Sequence, residues 1–145
     1  MRSIRRLLVV VATIALLAVL VPSVSAASPL GEVHLWKTCA PTFPTPATCT
    51  VQSSTSGPIP AGTVGTYSGP LFGNPRLSSE VVLLTPDQGT ATGHCTLSFR
   101  TGLGTCTFAR GTGSLAGFHA NLDVTYHFDT GVTNWDGTYF FAPAH

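Results

Sequence analysis

Between Phe118 and Phe128, five polar residues (His119, Asn121, Asp123, Thr125 and His127) alternate with apolar or small ones without a break. Two imidazoles, a carboxylate, an amide and a hydroxyl in one row could transfer protons or hold a polar ligand, provided the row is enclosed. His119 and Asp123 are accordingly candidate catalytic residues. At about 3.4 Å per residue they stand roughly 13 Å apart along a strand, so they form no dyad by themselves. A catalytic pair must therefore span two strands. His94 is the third candidate, on a segment where Thr96 and Ser98 share its face. Asn121, Thr125 and His127 are candidate ligand contacts. Trp135 and Tyr139 join them, on one face of the last apolar segment with Phe141; core packing is the competing reading for these aromatic residues. No His-x-His occurs in the row, and no metal or cofactor is expected.

Strict period two is the mark of a strand with one edge on a core and the other on something wet. The polar row either lines a cavity or faces solvent, and polar-out is the default for antiparallel sheets. In the cavity case the opposite row (Phe118, Leu122, Val124, Tyr126 and Phe128) would cover the barrel's outside against a partner subunit. Nucleophilic hydrolysis finds no support. There is no Gly-x-Ser-x-Gly elbow, and Ser114 lies in a glycine turn. Nothing around Glu32 or Glu80 marks them as general acids.

Eight strands can be drawn, at 31–37, 49–53, 62–71, 78–84, 92–99, 104–110, 117–128 and 133–141. Turn residues such as Gly73-Asn74-Pro75 and Asp129-Thr130-Gly131 separate them. No segment longer than a turn looks helical. Many short, evenly spaced strands mean a sandwich or a barrel. The expectation is all-β: a small eight-stranded antiparallel β-barrel stapled by two disulfides. An avidin-like or lipocalin-like barrel and an Ig-like sandwich are the alternatives. Val81-Val82-Leu83-Leu84 is apolar on both faces, which predicts cover on both sides by a loop, a terminus or another subunit, and hints at self-association.

Residues 1–27 read as a signal peptide that is removed. Arg2, Arg5 and Arg6 precede an apolar run from Leu7 to Val21, and Val24-Ser25-Ala26-Ala27 offers a cleavage site. That run is short of the roughly twenty residues a spanning helix needs. Residues 28–145 then form one domain that is secreted, extracellular and free of the membrane. It keeps Lys37, Arg76, Arg100 and Arg110 against six acids, a formal charge of −2. That balance argues against nucleic acid as a partner. Cys39, Cys49, Cys95 and Cys106 form an even set in an exported chain, which reads as disulfides. A tight turn at Arg100-Thr101 would place Phe99 opposite Gly102, Leu97 opposite Gly104 and Cys95 opposite Cys106, close enough to bridge. Cys39 and Cys49 would close a proline-rich loop that has no ladder of its own.

Three segments carry a resemblance: Gly93-His94-Cys95-Thr96, Arg110-Gly111-Thr112-Gly113-Ser114-Leu115-Ala116-Gly117-Phe118, and Trp135-Asp136-Gly137-Thr138-Tyr139. Over residues 93–141 the chain resembles the allene-oxide-cyclase-barrel-like group, which includes dirigent-like proteins and bacterial secreted members. Thr63-Val64-Gly65-Thr66-Tyr67-Ser68-Gly69 would be an earlier strand of that barrel. The likeness implies a barrel that holds a small molecule, or a cofactor-free isomerase or cyclase. It transfers no catalytic residue, because no segment matches the family's catalytic motifs. Independently of family, Gly111, Gly113 and Gly117 suit a sharp return between two strands. Three functions follow as expectations: a secreted protein binding a small apolar or amphipathic ligand, an isomerase or cyclase of that type, or a structural secreted protein with no small-molecule site.

Overall fold

The computed structural model describes residues 30–40, 46–69 and 75–143. The leader expected at 1–27 lies outside them. Eight strands follow in order: β1 (Gly31–Cys39), β2 (Ala47–Ser54), β3 (Val64–Tyr67), β4 (Arg76–Leu84), β5 (Thr90–Ser98), β6 (Leu103–Thr112), β7 (Phe118–Tyr126) and β8 (Val132–Phe141). A single 3₁₀ turn, Gly113–Leu115, separates β6 from β7. Each strand pairs antiparallel with its sequence neighbour, and β1 pairs with β8, so the sheet is a closed up-and-down barrel.

Alternation decides which side chains fill it. Val33 and Leu35 of β1, Val81 and Leu83 of β4, and Phe118, Ala120, Leu122 and Val124 of β7 are all buried inside. Their neighbours Glu32, His34, Glu80, Asn121 and Asp123 are exposed outside. This arrangement is the inverse of the lipid-embedded barrel, whose outer face is apolar. On β4 the second apolar face stays partly open among the described residues: Val82 and Leu84 are 44% and 43% exposed.

The two ends of the barrel differ. At one, Ile59 from the β2–β3 loop and Leu115 from the 3₁₀ turn are fully buried and plug the lumen. Below them Phe118 packs on Phe141, Tyr139 and Phe108, with ring centroids 5.6 Å, 5.9 Å and 6.4 Å away. Phe108 in turn meets Trp135 at 5.6 Å. The return into β7 needs its glycines. Gly113 and Gly117 adopt φ of +59° and +75°, where a side chain is strained. The opposite end, where the β5–β6 and β7–β8 connections lie, holds a cavity.

Both disulfides form. Cys95 and Cys106 stand directly opposite on β5 and β6, as do Leu97 and Gly104. The one bulge in that pair, at Thr92/Gly93, lies beyond the cysteines and leaves their register intact. The turn differs in detail. Phe99 and Gly102 do not pair: the Gly102 N–H donates to Ser98 O at 2.8 Å, and the Phe99 N–H donates to Pro75 O at 2.9 Å. Cys39 and Cys49 are opposed partners at the end of the β1–β2 ladder, so their bridge clamps that ladder; most of the proline-rich segment between them lies outside the described residues.

Candidate functional site

Along β1 the inward row runs Val33, Leu35, Lys37. Lys37 is the chain's one lysine, and it is 3% exposed. Period two, anchored by Val33 and Leu35, leaves it no outward position. Its Nζ donates a hydrogen bond to Tyr67 Oη. The same nitrogen lies 4.0 Å from the Trp135 ring centroid and 4.6 Å from that of Tyr67. Tyr67 closes β3 and Trp135 sits in mid-β8, and both are buried. Three strands thus aim an amine, a phenol and an indole at one point inside the barrel.

That point lies on the wall of a cavity of about 290 Å³, at the small end of the roughly 300–1,000 Å³ range typical of small-molecule sites. Leu77, Leu97, Val124 and both disulfides supply much of the apolar lining, and the cavity reaches Thr130 and Gly131 in the β7–β8 connection. Trp135, seated on Phe108, separates it from the aromatic plug.

No carboxylate among the described residues pairs with Lys37. Burial pushes its amine well below the ordinary value of 10.5, because desolvation disfavours the ammonium form. Burial also pushes the Tyr67 phenol up from its ordinary 10.0, so that group keeps its proton. The Trp135 Nε1–H is buried with no hydrogen-bond partner among the described residues, an omission that costs about 1–3 kcal/mol unless something accepts it. Thr38, Thr96, Thr130, Thr133 and Tyr126 add hydroxyl-bearing side chains to the same cavity lining. A desolvated amine is a nucleophile and a base, and it donates readily to an anion or carbonyl oxygen.

The residues singled out for chemistry lie elsewhere. The 118–128 polar row faces solvent, because Phe118 and its row are the better core. Asn121, Asp123 and His127 are exposed, and His119 and Thr125 are half-buried at the outer surface. His119 stacks on Phe140 at 4.8 Å. His94 is exposed, 3.0 Å from Ser78 Oγ. Strand β6 separates it from β7, so His94, His119 and Asp123 do not converge. The cavity reading of these residues is corrected accordingly. Of the two aromatic candidates, Trp135 lines the cavity. Tyr139 points inward but packs on Phe118 toward the plugged end. Lys37 and Tyr67 were missed. The signal was present for Lys37, a cation at the inward register of an alternating strand. Tyr67 had none, since buried tyrosines are ordinary.

Among the described residues no group of three or more His, Cys, Asp or Glu side chains gathers to hold a metal. His34 Nδ1 lies 2.8 Å from Asp136 Oδ1 on the exposed outer face, with Glu32 3.5 Å from the other nitrogen. No family model, no curated protein and no solved structure matches the chain.

Proposed function

We propose that this chain is a secreted binding protein that holds one small amphipathic molecule in its barrel. The ligand's apolar body lies against Leu77, Leu97 and Val124, and its hydrogen-bond acceptor meets Lys37 and the Trp135 N–H. The observation that carries this reading is the uncompensated amine on the wall of an otherwise mostly apolar cavity. A buried lysine with no counter-ion is costly, and stability alone gives no reason to keep it. Export is supported by the leader sequence and by the two disulfides, which persist in oxidising compartments. The likeness to allene-oxide-cyclase-type barrels belongs to the same proposal, since a closed eight-stranded barrel with a lumen is what it implies.

Hexanoate and 1-hexanol are suitable probes, one with a charged acceptor and one neutral. Binding should move the indole N–H resonance of Trp135 in a saturable titration. Leu97→Trp, which fills the cavity, should abolish the response, whereas His119→Ala and Asp123→Ala should leave it intact. A Trp135 resonance that neither probe moves would remove the reading.

A further inference from the structure

We propose that Lys37 forms a reversible imine with small apolar aldehydes that enter the barrel, making the lumen a carbonyl-capture site. The inference rests on the lumen-binding reading and adds covalent chemistry to it.

Geometry is the first support. Lys37 Nζ reaches the cavity wall with Tyr67 Oη in hydrogen-bond contact and the Trp135 ring 4.0 Å away. Salt-bridged lysines hold their lone pair as N–H⁺, but here no carboxylate among the described residues pairs with the amine. Desolvation lowers the amine below the ordinary 10.5 and so favours its neutral form, the state that attacks carbonyls. Chain composition adds specificity. Apart from the histidine imidazoles, every other basic side chain is arginine, whose guanidinium stays protonated and makes a poor nucleophile. A secreted barrel with this makeup offers an aldehyde one side-chain amine, and that amine is enclosed.

The step balances without a co-reactant. The Nζ lone pair forms a bond to the carbonyl carbon as the C=O π pair moves to oxygen. Tyr67 gives its phenolic proton to that oxygen and takes one from the nitrogen, leaving a neutral carbinolamine. Tyr67 then protonates the hydroxyl, which leaves as water as the nitrogen lone pair forms C=N, and the phenolate takes back the remaining N–H proton, leaving a neutral imine. Hydrolysis runs the same steps backward. Because burial keeps Tyr67 protonated, its proton is available for this transfer at neutral pH. The orphan Trp135 N–H can donate to the carbonyl oxygen during approach.

The test uses hexanal with sodium cyanoborohydride, which fixes an imine as a secondary amine, at neutral pH on the folded protein. Intact mass and peptide mapping should show one hexyl group on Lys37, besides any at the α-amine. Adduct formation should be faster in the folded chain than in the urea-unfolded chain at the same pH, and its rate should titrate below 10.5. Tyr67→Phe should slow it roughly a hundredfold, the scale of positioned proton transfer. Modification confined to the α-amine, or a Lys37 rate lower in the folded than in the unfolded chain, would overturn the imine. An unchanged rate in Tyr67→Phe would overturn the shuttle. If 1-hexanol moves the Trp135 resonance while hexanal gives no Lys37 adduct, binding stands and capture falls; if neither responds, both fall.

Discussion

Trp36 and Lys37 are adjacent in sequence and face opposite ways: the tryptophan lies outside the barrel and 41% exposed, the lysine inside and 3% exposed. Individual hydrophobicity would reverse them. Strand register does not allow it, because turning Lys37 out would turn Val33 and Leu35 out with it. A bulge in the β1–β2 pairing falls between the two residues, yet the β1–β8 pairing runs unbroken through Trp36↔Asn134 and Lys37↔Thr133.

Replacing the amine by an apolar group of similar length should therefore stabilise the fold. Lys37→Met is expected to raise unfolding free energy by about 1–3 kcal/mol near neutral pH, the usual mutational cost of burying a polar group. The sign with pH follows from linkage. A lysine lowered in the folded state binds its proton first in the unfolded chain, so wild-type stability from this group rises as pH climbs from the folded value toward 10.5. The gap between Lys37→Met and wild type should shrink over that window in urea titrations at stepped pH. A gap that widens with pH would contradict the assignment.

Phe118 and His119 give an opposed pair on β7. Phe118 is fully buried in the aromatic plug, so Phe118→Ala should cost about 3–5 kcal/mol. His119→Ala should cost less than about 1 kcal/mol, since it removes only an outer stack on Phe140. Asp123→Ala should cause no loss of stability, because Asp123 stands opposite Asp136 on β8 and like charges so placed repel. Thermal melts of the three variants check the order.

Cys95 and Cys106 close a short loop, with a sequence separation of 11. Substituting both by serine should cost about 2–3 kcal/mol through the freedom returned to the unfolded chain. The two sulfurs also line the cavity, so the double variant should alter ligand affinity as well. Chemical denaturation and probe titration of the same sample separate the two effects.

Asp87 ties the plugged end together. Its Oδ1 accepts from Thr85 Oγ1 and, at 2.9 Å, from Ser114 Oγ in the 3₁₀ turn. The Thr85 and then the Ser114 hydroxyls hold its carboxyl below the ordinary value of 3.8. A depressed carboxyl contributes stability above its unfolded value and loses that contribution as pH falls through the folded one. Acid unfolding below 3.8 should therefore come earlier for wild type relative to its neutral stability than for Asp87→Asn, whose amide does not titrate. Parallel profiles would dismiss the contribution.

Much of the fold was legible in residue order because strands announce themselves locally. The alternation of 118–128, the glycines of 111–117 and the facing of Cys95 with Cys106 each depend on neighbours a few residues away, and each appears where local rules put it. The Cys39–Cys49 ladder was less legible, since prolines between the two cysteines hide the pairing of the strands that flank them.

Residue order alone thus determined eight antiparallel strands, two bridges and a polar row that could face either way. Only closure of the sheet decided which way it faces and where the chemistry lies. Alternation assigns side chains to two faces without saying which face is enclosed. That choice belongs to the summed apolar area of all eight strands, and it sent the histidines of β7 outward. Bringing Lys37, Tyr67 and Trp135 together required β1, β3 and β8 to bend into one ring, a contact among residues 30 to 98 positions apart that no local pattern encodes.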